Sequence, residues 1–289
     1  MVILKHVGVL SAAKIAAVIE LVMGFVIAVF MFIGVLGPFL GSSCSGRLYT
    51  GSAAGCAGGL FGSGPIILIA LPIFAMVVGF IAAAFEAWLY NVVSGKLGGI
   101  KLQFKDNRLK NIDPISAAKI VAIIGAVFGF IIGLIITAVG LFAATVTLIV
   151  AGIISIVLLT LFFLIGGFIA AAIGALIYNF LASKIGGIAV YFKSNRLARI
   201  GALSYAKIEG IFGIILGLFI GILYFALSLN PMTASASTSI PSIVHALGAF
   251  SIVAFPAFYF VLTFLSSGFQ ALLYNYFARK IRGIEVRFS

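Results

Sequence analysis

Serine and lysine recur three times at one spacing, as Ser11 and Lys14, Ser116 and Lys119, and Ser204 and Lys207. Ser-x-x-Lys sets a nucleophile beside its lysine in acyl-transferring β-lactamase-like enzymes. Here neither Ser-Asp-Asn nor Lys-Thr-Gly accompanies it, and each copy opens an apolar stretch, where serine reads as a helix N-cap. His6 and His245 are expected on opposite sides of the membrane and cannot share a metal, no Cys/His cluster has zinc spacing, and no GxxxxGK[ST] loop occurs. The expectation is therefore no catalysis, no metal and no cofactor. Cys44 and Cys56 are the two cysteines, joined by a Gly- and Ser-rich segment. In an oxidising exterior they are expected to form a disulfide, worth about 2–3 kcal/mol for so short a loop; two free thiols or a metal pair is the alternative. Glu20 and Glu86 interrupt apolar stretches at what reads as a similar depth. A charge at the bilayer centre costs about 2.5–3.5 kcal/mol, so the pair suggests a shared proton or a bound cation. Pairing with a lysine such as Lys119, or snorkelling to the interface, is the plainer account.

What must position these residues follows from composition. Of 289 residues 64% are hydrophobic and 8% charged, and mean hydropathy is +1.34. A water-soluble domain carries about 25% charged residues, so lipid replaces water around this chain. A soluble enzyme, a disordered tail and a disulfide-rich secreted domain are excluded, as is a porin-type barrel, because the apolar runs are continuous. Runs at 11–40, 65–94, 114–139, 151–182, 203–228 and 246–278 predict six spanning helices. The first is longer than a signal-peptide core and reads as a span. Of the 18 Lys and Arg, all but Arg47 fall in the loops and termini of one side. The positive-inside rule makes that side, with both termini, cytoplasmic. Anionic headgroups account for the basic residues, and no nucleic acid is needed.

The chain also repeats itself. Tyr90-Asn91, Tyr178-Asn179 and Tyr274-Asn275 are each followed at a fixed distance by Lys96, Lys184 and Lys280, then by Gly99, Gly187 and Gly283 and an alternating stretch. The units are 1–105, 106–193 and 194–289, each helix, outer loop, helix, strand. Two spans per unit make all three enter from the same side, as repeats about an axis along the membrane normal do. Lys before Gly reads as a helix stop, Tyr and Lys as interface residues, and the three Asn as interhelical hydrogen-bonders. Gly129–Gly133 and Gly213–Gly217–Gly221 suggest close helix packing. The strands at 99–104, 187–192 and 283–288 should turn Ile, Val or Leu, and Phe toward the helix ends or bilayer surface. They must pair with one another, with Val2-Ile3-Leu4, or with a partner.

The unit resembles a small two-span bacterial transmembrane domain, best known from actinobacteria, of unknown function. The middle copy carries the resemblance in Asp113, Pro114, Ser116, Lys119, Tyr178, Asn179, Ala182, Gly186, Gly187, Ile188 and Val190. The first and third copies lack the Asp-Pro, and the third has Arg282 for the first glycine. The resemblance implies a fold and a topology and no activity.

The expected fold class is an all-α polytopic membrane protein of six helices in three tandem pairs, pseudo-threefold, each pair followed by a short cytoplasmic strand. The expected role is a plasma-membrane scaffold whose basic face docks a protein partner or a second copy. A channel or transporter along the pseudo-axis is the alternative.

Overall fold

A computed structural model describes residues 1–41, 66–229 and 241–289. Cys44 and Cys56 lie outside the described residues, as do most positions between the first two helices. The elements run β1 (Val2–Val7), α1 (Val9–Gly41), α2 (Ile67–Leu97), β2 (Ile100–Lys105), β3 (Arg108–Ile112), α3 (Pro114–Phe142), α4 (Val146–Ile185), β4 (Ile188–Lys193), β5 (Arg196–Ile200), α5 (Ala202–Ser228), α6 (Pro241–Ile281) and β6 (Ile284–Phe288). All six helices contain stretches long and apolar enough to cross a membrane.

The all-α expectation is corrected. Six strands close into one antiparallel barrel in the order β1-β2-β3-β4-β5-β6. The basic loops are β-hairpins, turning at Asp106-Asn107 (φ 52° and 55°) and Ser194-Asn195 (φ 50° and 57°). Two consecutive residues at positive φ make the turn whose twist matches antiparallel strands, and Asn and Asp tolerate it best. The third junction has no turn. There β6 meets β1, and Ile3 and Ser289 exchange two backbone hydrogen bonds of 2.9 Å. Closure leaves no strand edge open, so the barrel needs no partner to satisfy its backbone.

The helices leave and rejoin the barrel in pairs, so every strand lies at one end of the helical bundle. Within a pair, glycines bring backbones together. A Cβ on Gly129 would stand 2.4 Å from the Leu159 carbonyl, and one on Gly133 2.5 Å from Ile156 Cα. On α5, a Cβ on Gly217 would come within 2.5 Å of the Phe255 carbonyl. The small-residue runs thus pack α3 on α4 and α5 on α6 inside the chain. Between pairs the helices touch sparingly, α2 on α3 and α1 on α6, and what binds the pairs together is the barrel.

Candidate functional site

The site is the junction where the barrel sits on the helix ends, built from side chains that reach for strand backbone. Tyr178, 5% exposed, donates its hydroxyl to the Leu109 carbonyl at 2.6 Å and accepts from the Ile188 amide at 3.2 Å. One residue on, Asn179 Oδ1 accepts from the Ile112 amide at 2.8 Å and its Nδ2 donates to the Ile112 carbonyl at 2.9 Å. The primary amide imitates a strand partner, meeting both backbone groups of one residue at once. The same bonds recur from Tyr90 and Asn91 to Leu4, Ile100 and Val7, and from Tyr274 and Asn275 to Leu197, Ile284 and Ile200.

Two expectations are corrected here. The three Asn clamp strand ends and do not bridge helices, because the nearest unsatisfied groups are the last residues of β1, β3 and β5. The three Tyr are buried under the barrel and do not anchor in the interface. A bulge explains their acceptor: the register of β2 on β3 shifts between Gln103 and Phe104, skipping Lys110 beside Leu109. Equivalent shifts skip Ala198 beside Leu197 and Lys5 beside Leu4. A bulge locally breaks the ladder, and at each one the tyrosine hydroxyl takes the neighbouring leucine carbonyl.

The serines have a different duty from the one expected. Asp113 is the N-cap of α3, accepting from the Ser116 amide at 2.9 Å, with Pro114 behind it. Ser116 Oγ accepts from the Lys101 amide at 3.0 Å, Ser204 from Ala189 at 2.9 Å and Ser11 from Glu285 at 2.9 Å. Each serine ties the start of a helix to a strand: Ser11 to β6, Ser116 to β2 and Ser204 to β4. Lys14, Lys119 and Lys207 are exposed.

The glycines are where the chain turns from helix into strand. Gly98 (φ 88°) and Gly186 (φ 98°) cap their helices, with Arg282 (φ 65°) in the third place. The next residues, Gly99, Gly187 and Gly283, lie so close to the preceding strand that a Cβ would stand 2.1–2.2 Å from the carbonyls of Leu4, Leu109 and Leu197. Those are the carbonyls the tyrosines take, so tyrosine, leucine and glycine form one contact three times over.

At the far end of the barrel Phe104, Phe192 and Phe288 meet edge to face, with centroids 5.5, 5.8 and 5.2 Å apart. The strand faces do turn Ile100, Ile188 and Ile284 onto helix-end residues such as Tyr90, Tyr178 and Tyr274, as expected, but their Phe rings meet one another instead. Three rings in mutual contact close the barrel's axis. On the wall, Glu285 bonds Arg287 at 2.9 Å and lies 3.5 Å from Arg196. The Arg287 hydrogen bond, then the charges of Arg287, Arg196 and His6, hold its carboxyl below the usual range.

Glu20 and Glu86 line one cavity of about 510 Å³ between α1, α2 and α6, roofed by Val7 and Ile284. Gln270 and Tyr274 reach the same space from α6, a meeting the sequence concealed because it does not say that α6 packs beside α1. The two residues do not stand level on their helices, as expected, but are staggered. Glu20 packs its β and γ carbons against Gly79, within 2.9 Å of where a Cβ would stand. Glu86 is seven residues, about 10.5 Å of helix, nearer the barrel. Among the described residues no group of three or more His, Cys, Asp or Glu gathers to hold a metal.

No protein-family model, no curated protein and no solved structure matches this chain, so its functional reading rests on the barrel, the clamp beneath it and the cavity between the helices.

Proposed function

We propose that the chain is a non-catalytic membrane scaffold. Three tandem units, 1–105, 106–193 and 194–289, stand about a pseudo-threefold axis along the membrane normal. Each is strand, two spans, strand. The barrel and both termini lie in the cytoplasm beneath the plasma membrane, and the basic barrel wall docks an acidic partner protein or a second copy. The carrying observation is the closed axis, where Phe104, Phe192 and Phe288 meet across the far end of the barrel. A platform needs a solid middle; a pore does not. Charge placement supports the same reading, since the strands hold nine of the chain's 18 basic residues.

The test is a photo-crosslinking side chain at Tyr191, 43% exposed on the barrel wall. In native membranes it should give an adduct of discrete mass, lost when Lys101 and Lys110 are changed to Glu. Absence of any adduct, together with ion flux through purified wild type in liposomes, overturns the scaffold.

The cavity at Glu20 and Glu86 favours a second reading, a cation or proton conduit. With the axis blocked by phenylalanine, such a path would leave sideways between helix pairs. Glu20→Gln and Glu86→Gln should then each abolish flux in liposomes while folding normally, and no flux in wild type removes the conduit.

A further inference from the structure

A second cavity, of about 590 Å³, lies on the barrel side of α6, lined by Lys193, Ser194, Arg196, Arg279, Arg282 and Gly283 among others. Four of its side chains are cations and none is a carboxylate. Arg196 is fixed in place, donating to the carbonyls of Arg282 at 2.8 Å and Gly283 at 3.4 Å and facing Glu285 on its other side. Among the described residues, the side chains of Lys193, Arg279 and Arg282 meet no hydrogen-bonding or ion-pairing group of the protein.

The charge here is not repeated between the first two units. At the corresponding place between the first two units stand Lys105, Asp106, Arg108, Ser183 and Gly186, with a net formal charge of about one against four here. Arg108 repeats the Arg196 contact, donating to the Gly186 carbonyl at 3.4 Å. The difference is Arg279 for Ser183, Arg282 for Gly186 and Ser194 for Asp106. Arg282 is also the costlier choice for the backbone. It holds φ 65° where the other two units use glycine, the residue that adopts that conformation without strain. A strained residue that brings an unpaired guanidinium to a basic pocket points to a ligand. The level is set by α6 itself, whose last turns carry Lys280 over the Tyr276 ring at 4.8 Å, a pair suited to the membrane interface.

We infer that this pocket binds a phosphate-bearing anion, presented either on an anionic phospholipid headgroup or by a soluble phosphate ester. Arg279 and Arg282 supply forked donors that match phosphate oxygens, and Lys193 adds a point charge. The inference goes beyond the docking role: the pocket shares Lys193 and Arg196 with the barrel wall, but lipid retention and the Tyr191 crosslink read the two roles separately.

The test uses the full chain in detergent, titrated with phosphatidylglycerol or phosphatidylcholine and read by native mass spectrometry. Wild type should retain phosphatidylglycerol about tenfold more tightly than phosphatidylcholine, the scale of one charge-assisted contact. Arg279→Gln combined with Arg282→Gly should erase the preference. Arg282→Gly alone restores the residue of the other units, so it should melt no lower than wild type while binding more weakly. Lys101→Gln, which like Arg282→Gly removes one charge but lies outside the pocket, should keep the preference. Displacement of phosphatidylglycerol by millimolar inorganic phosphate supports the pocket with a soluble ester as its ligand, and resistance supports it with the lipid. Wild-type retention in the double variant, or an equal loss in Lys101→Gln, overturns the site.

Discussion

The Tyr178 hydroxyl donates to Leu109 and accepts from Ile188, so phenylalanine there strands two backbone groups beneath the barrel. Leaving a buried group unpaired costs about 1–3 kcal/mol. Tyr178→Phe should therefore lower stability by about 1–3 kcal/mol, and Asn179→Ala, which orphans both groups of Ile112, by about 2–4 kcal/mol. Detergent unfolding measures the loss, and faster amide exchange at Ile112 in Asn179→Ala would localise it. A pH effect belongs to Glu285. Its carboxyl is held low, first by the Arg287 hydrogen bond, so the folded barrel favours the ionised form. That contribution is complete above the unfolded-chain value of about 4.3 and is lost as pH falls through the lower folded value. Melting curves from pH 6 to 3 should show wild type losing more than Glu285→Gln; parallel curves would refute the coupling.

At the scale of elements, the turn from helix into strand is the least forgiving place. Gly187→Ala combines a positive φ, costing a residue with a Cβ about 1–2 kcal/mol, with a contact 2.1 Å from the Leu109 carbonyl. It should prevent the β3–β4 corner from forming. Gly95→Ala is the contrasting case, since a Cβ there meets nothing within 4 Å. In a helix that exchange should stabilise by about 0.5–1 kcal/mol, and comparing the two melting temperatures checks the account. The helices were legible because some 20 apolar residues in a row have one explanation in lipid. Strands β2, β4 and β6 were legible from their period of two. Strands β3 and β5 were not, because Arg108–Ile112 and Arg196–Ile200 are short and rich in Arg, Lys and Asn, and read as a basic loop until the positive-φ turns before them are seen. The clamp escaped for another reason. Tyr and Asn at a helix end fit the interface and interhelical bonding equally well, and only the closed barrel brings strand backbone within reach.

For the whole molecule, the barrel places both described chain ends and all six helix–strand junctions on one side of the bundle. Single cysteines at Gly64 and Ala234, in a chain with Cys44 and Cys56 replaced by serine, should react with an impermeant reagent from outside intact cells, whereas one at Lys110 should not. Labelling at Lys110 from outside would invert the topology. That the basic residues gather at the barrel end of the bundle was legible in the sequence, whereas the stagger of Glu20 and Glu86 was not. Counting residues from the boundary ignores how α1 slides along α2, and Gly79 sets that slide by receiving the Glu20 stem.

The seam between β6 and β1, where Ile3 and Ser289 bond each other, has a consequence for the order of assembly. Of the six strands, the one translated first borders the one translated last, so the ring stays an open arc while the helices enter the membrane one pair at a time. Joining residues 289 and 1 through a short Asn-Gly link, and cutting instead at Asp106-Asn107, would move the seam without changing a single contact of the clamp. Such a rearranged gene should give a protein that melts as the original does. The timing of closure during synthesis would then follow the new first strand, β3.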